Sequence, residues 1–160
     1  MKYGFIGMRS ILHFLALFEW SKGVFGSKSL FIFNFILVSD MTKKILIIED
    51  DLLISSLVQF RLKKDGYDTH LVKDGNEGIH AIDSVNPDLI ITDVMMPFRS
   101  GIELIHHAKK IIPKTPIIVL SSLGDEENVV LEAFNLGVSD FISKPFNPNE
   151  LAIRVKRILS

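Results

Sequence analysis

Hydrophobic and polar positions alternate in blocks along most of this chain. Four apolar runs, Ile45-Leu46-Ile47-Ile48, Leu89-Ile90-Ile91, Ile117-Ile118-Val119-Leu120 and Phe141-Ile142, have the continuous character of buried parallel strands. A less apolar run, Thr69 to Val72, adds a fifth strand. Between them the apolar residues recur at helical spacing. Ile54, Leu57, Val58 and Leu62 define the inner face of a first helix that closes near Gly66. Asp74 with Glu77 signals the start of a second helix, which buries Ile79, Ile82 and Val85. Ser100 with Glu103 forms a capping box ahead of Leu104, Ile105, Ala108 and Ile112. Val130, Ala133 and Phe134, before Gly137, mark the inner face of a fourth helix. Asn147-Pro148-Asn149-Glu150 starts a fifth, whose core residues are Leu151, Val155, Ile158 and Leu159. Strand–helix alternation with short connections predicts an α/β domain around a five-stranded, doubly wound parallel sheet.

The pattern changes near Met41. Upstream, Ile11 to Phe18 and Leu30 to Val38 are aromatic-rich apolar runs, separated by Glu19, Lys22 and Lys28. Neither reaches the roughly 18 to 20 residues that cross a bilayer, and no small-residue cleavage site follows the basic start. Met41-Thr42-Lys43-Lys44 reads as a natural start before the first strand. The expectation is a domain over 41–160, with 1–40 an extension that is a misassigned start, a membrane-associating segment or, as the weakest reading, a folded extension.

Composition narrows the chemistry. The 160 residues contain no cysteine, which excludes thiolate metal sites and suits the cytoplasm. A net charge of -1 with no basic run gives no footprint for nucleic acid.

Each of the four apolar runs leads to a residue able to bind a cation or a phosphate: Glu49 and Asp50, Asp93, Ser121, and Lys144. Parallel strands deliver their C-terminal ends to one edge of an open sheet, where ligands bind. Two carboxylates about 4 Å apart repel by about 4 kcal/mol at an effective dielectric of 20, so such a cluster calls for a cation, a shared proton or a lysine. All-oxygen donors with room for water suit Mg2+. A carboxylate nucleophile, a divalent cation, an ammonium and a hydroxyl make a workable phosphoryl-transfer apparatus. Asp51 reads as a helix cap. The adjacent His106 and His107 would point about 100° apart on a helix, and are expected at the solvated surface, as is His80. Gly66, Gly75 and Gly101 read as backbone devices.

Ile48-Glu49-Asp50-Asp51, Asp93-Val94-Met95-Met96-Pro97 with Gly101, Leu120-Ser121-Ser122 and Lys144-Pro145-Phe146 together resemble the response-regulator receiver domain of two-component signalling, over essentially all of 41–160. The resemblance implies the flavodoxin-like fold with strand order 2-1-3-4-5, and a stand-alone, chemotaxis-regulator-like type. It implies a phosphoacceptor, Asp93, loaded by a sensor histidine kinase or a histidine phosphotransfer protein. Glu49 (through water), Asp50, Asp93 and the Met95 backbone carbonyl would hold Mg2+ or Mn2+. Lys144 and Ser121 would bind the phosphoryl group, Pro145 would follow a cis bond, and Phe141 would turn inward as a switch. The output would be a changed protein-binding surface for an unidentified partner, with homodimerisation through the fourth helix a further option. Ser122, where the family usually has alanine or glycine, and Met95 bear on phosphoryl lifetime. Other readings are weaker: a transcription factor without its output domain lacks a linker after the last helix. A phosphatase with an aspartate nucleophile would need aspartate two residues after Asp93, where Met95 stands. A nucleotide binder would need a glycine-rich loop.

Overall fold

In a computed structural model the chain is described over residues 42–96, 98–122 and 127–160. The expectations for residues 1–40 lie outside the described residues. The described part is one unit, Thr42–Ser160. It runs β1 (Lys44–Ile48), α1 (Leu52–Lys64), β2 (Asp68–Val72), α2 (Gly75–Val85), β3 (Leu89–Asp93), α3 (Gly101–Ile111), β4 (Ile117–Ser122), α4 (Glu127–Asn135), β5 (Asp140–Lys144) and α5 (Pro148–Leu159). The five strands are all parallel, in the order β2-β1-β3-β4-β5. Among the described residues no helix is long and apolar enough to cross a membrane.

The strands are continuously apolar because both faces of the sheet are covered. Successive β1 side chains alternate between the faces. Leu46 and Ile48 join Ile82, Leu104, Ile105, Ala108 and Ala133 from α2, α3 and α4. Ile45 and Ile47 join Val58 and Leu62 of α1 with Leu151 and Val155 of α5. The sheet is thus shared by two cores.

The caps follow the sequence signals. Asp51 accepts from the Leu53 and Ile54 N–H groups at 2.8 and 3.1 Å. Ser100 and Glu103 form the reciprocal capping box. Asn147 caps α5, with proline in its first turn. Asp74 caps α2, but the Glu77 carboxylate reaches one residue further back, accepting from the Lys73 N–H at 3.2 Å. Gly66 and Gly137, at φ 90 and 77°, close α1 and α4 in the left-handed region that favours glycine.

Three expectations about burial need correction. Leu57 and Phe134, placed on inner faces by their spacing, are 48% and 56% exposed. Each sits on the flank of its helix's apolar stripe, where helical spacing alone does not say whether a neighbour covers it. His107 is half-buried, with Nε2 2.8 Å from Asp83 Oδ1 of α2, whereas His106 and His80 are exposed as expected.

Candidate functional site

The register brings the strand ends together. Ile48 pairs with Thr92, so Glu49 and Asp93 each stand one residue further along neighbouring strands. Asp93 pairs with Leu120, the residue before Ser121. Ser122 pairs with Lys144, the last residue of β5. Residues from four distant segments therefore meet at the C-terminal edge, beside the crossover between β1 and β3.

Two carboxylates share one ammonium there. Lys144 Nζ donates to Asp93 Oδ2 at 2.6 Å and to Glu49 Oε1 at 2.9 Å. It also lies 2.7 Å from Glu49 Oε2, so the ammonium straddles both oxygens of that carboxylate. Two backbone groups fix the acids: the Met95 N–H donates to Asp93 Oδ1 at 3.1 Å, and the Asp51 N–H to Glu49 Oε1 at 3.3 Å. Glu49 is fully buried and Asp93 is 5% exposed, whereas Asp50 faces solvent.

The protonation shifts follow from that sharing. Burial lifts the Glu49 carboxyl above the ordinary glutamate range, and Lys144 offsets only part of this. Burial would also lower the Lys144 ammonium, but its bonds to Asp93 and Glu49 outweigh burial and hold it above the ordinary lysine range. The two directions are compatible: the lysine gains two anions, while Glu49 gains half a lysine and a second carboxylate as neighbour.

One oxygen from each of Glu49, Asp50 and Asp93 lies within 4.8 Å of the others. Three carboxylates against one lysine leave negative charge uncompensated. The all-oxygen donor set, with Asp50 open to solvent, fits a hard divalent cation that retains water, such as Mg2+ or Mn2+.

The glycine at the start of α3 is part of this construction. The Gly101 N–H donates to the Val94 carbonyl at 2.8 Å. A Cβ on Gly101 would lie 2.2 Å from the Asp93 carbonyl oxygen and 2.8 Å from Val94 Cα. Only glycine lets the helix approach the acid-bearing backbone this closely.

The other expected site residues line the same edge. Ser121 is buried, and among the described residues its hydroxyl makes a long 3.5 Å bond to the Ser122 carbonyl. The Lys144–Pro145 bond is cis. Phe141, half-buried on β5 beside Val119, stacks on Phe134 with ring centroids 4.3 Å apart. Periodicity had placed Phe134 in the core, and no local signal pairs it with Phe141. The Asp93 anchor at the Met95 N–H is likewise a backbone contact that side-chain identity does not encode.

Comparison with known proteins gives one family. Residues 45–156 match the model of the response regulator receiver domain. Among solved structures, the chain resembles a CheY-like response regulator receiver domain protein from Methanospirillum hungatei JF-1 at 28% identity, over 74% of this chain and 94% of the other, with a TM-score of 0.71. The chemotaxis response regulator CheY4 of Vibrio cholerae matches at 28% identity, over 74% and 100%, with a TM-score of 0.69. The receiver domain of the Francisella response regulator 1452 matches at 35% identity, over 74% and 97%, with a TM-score of 0.67.

Proposed function

The chain belongs to the response regulator receiver domain family, a signalling domain of phosphorelays, and on that footing we propose that Asp93 takes a phosphoryl group from a phosphohistidine on a partner protein. The observation that carries this reading is the Lys144 ammonium 2.6 Å from Asp93 Oδ2, inside a pocket of three carboxylates. The donor is a sensor histidine kinase or a histidine phosphotransfer protein.

An Asp93 carboxylate oxygen attacks phosphorus as the phosphorus–nitrogen bond to the partner's imidazole breaks. That nitrogen keeps the bonding pair and takes a proton from solvent. Glu49 (through water), Asp50, Asp93 and the Met95 carbonyl would hold Mg2+ or Mn2+, which when bound would neutralise charge on the phosphoryl oxygens. Lys144 follows the charge from the carboxylate to the phosphoryl group, and the loosely held Ser121 hydroxyl turns to donate to a phosphoryl oxygen. Attack by water on the acyl phosphate later returns the free carboxylate.

The output is a protein surface. A new dianionic group biases a two-state element, here Phe141 with the adjoining faces of α4, β5 and α5. Residues 41–160 form the working domain, of the chemotaxis-regulator-like type, acting in the cytoplasm without binding nucleic acid. The test is acetyl phosphate with Mg2+, read by intact mass. One phosphoryl group is expected on the wild type, and none on Asp93→Asn or after the metal is chelated. Undiminished labelling of Asp93→Asn, or none on the wild type, overturns the reading.

A further inference from the structure

Phe134 is a large side chain that core packing does not explain. It is 56% exposed at the end of α4, yet its ring stacks on Phe141 with centroids 4.3 Å apart and planes 28° apart. Phe141 in turn packs against the core beneath α2, α3 and α4. Phe134 thus leaves more than half its surface in water while covering the one aromatic on β5.

The backbone fixes this arrangement. The Gly137 N–H donates to the Phe134 carbonyl at 2.9 Å, and the Val138 N–H to the Ala133 carbonyl at 3.4 Å. With Gly137 at φ 77°, these two bonds form a Schellman turn. The turn leads into β5, which starts at Asp140, one residue before Phe141. The helix end, the turn and the strand start therefore hold the two rings in register, three residues from Lys144 in the acidic pocket.

We propose that Phe134 is a positioning residue for Phe141, and that the stack holds Phe141 in its resting orientation and so sets how readily phosphorylation switches the molecule. This rests on the reading above, in which Phe141 reorients when Asp93 is modified. A contact made in only one of two states biases their equilibrium by its own strength. An aromatic pair of this kind is worth roughly a two- to tenfold shift. Removing it lowers the population that a phosphoryl group must overturn, so ligands of the switched state bind more tightly.

The test is the apparent affinity of the full chain for beryllofluoride in the presence of Mg2+, followed by fluorine NMR of the bound species. Phe134→Ala and Phe134→Leu are each expected to tighten binding by roughly two- to tenfold, because neither can stack. Phe134→Tyr, which can, is expected to match the wild type. In a Phe141→Ala background, Phe134→Ala should have no effect. Unchanged or weaker binding in Phe134→Ala, or an effect that survives without Phe141, overturns the proposal while the phosphoacceptor reading stands. A wild type that takes up no beryllofluoride overturns both.

Discussion

Glu49 holds the main electrostatic conflict in the pocket, since its carboxyl group is buried and shares Lys144 with Asp93. Its raised pKa makes the ionised carboxylate costly to the metal-free fold at neutral pH. That cost falls as pH drops through the raised value and is gone below the ordinary glutamate range, where folded and unfolded chains are both protonated. Cation binding runs the other way, because protons compete for the same oxygens. Mg2+ affinity is therefore expected to weaken at a pH above the ordinary glutamate range, in a step that Glu49→Gln removes while costing on the order of tenfold in affinity; calorimetric titration across pH measures both. A flat pH profile in the wild type would remove Glu49 from the metal site. Gly101→Ala acts through sterics instead. The atoms nearest its added methyl group are backbone, at 2.2 and 2.8 Å, and cannot rotate away. A loss of about 2 kcal/mol in denaturant titrations is expected, with weaker Mg2+ binding as Asp93 shifts. The acids, the hydroxyl and the lysine were legible in the sequence because each follows an apolar run. Their division of one ammonium was not, because it depends on distances between segments up to 95 positions apart.

At the scale of elements, helix starts were legible because caps are local chemistry: Asp51, Asp74, Ser100 and Asn147 all satisfy first-turn N–H groups. Helix faces were less so. Leu57 and Phe134 satisfy the helical spacing and still face solvent, since spacing specifies a direction but not what lies in that direction. The ends of α1 and α4 offer a controlled comparison. Gly66 and Gly137 both have positive φ, both lie in open space for a Cβ, and both close the same kind of turn. Alanine at either should cost about 1 kcal/mol of stability through the left-handed backbone alone, measurable by chemical denaturation. Only Gly137→Ala should also change beryllofluoride affinity, because only that turn sets the Phe134–Phe141 stack. Equal effects of both variants on affinity would trace the change to general loosening rather than to the stack.

The site exists only because the whole sheet is ordered as it is, and strand order is the feature that local sequence carries least. Apolar runs identify strands, but nothing in Ile45–Ile48 specifies that β3 rather than β4 lies beside it. Here the order came from the family resemblance, and the register of β1 with β3 agrees with it. Both cores draw on β1, β3 and β4, so neither side of the sheet can melt while the other persists. Leu62, under α1, and Leu104, under α3, are both essentially inaccessible to solvent. Truncating either to alanine should cost about 2–5 kcal/mol, and hydrogen exchange should show protection falling on both faces together, as one cooperative unit requires. The same reasoning sets an expectation for the division near Met41. Both cores and every proposed site residue lie within Thr42–Ser160. Residues 41–160 expressed alone should therefore unfold in one transition, bind Mg2+ as tightly as the whole chain, and take one phosphoryl group on Asp93. If the shorter chain fails to fold or labels more slowly while the whole chain does both, then residues 1–40 contribute to the working domain and the boundary at Met41 is wrong.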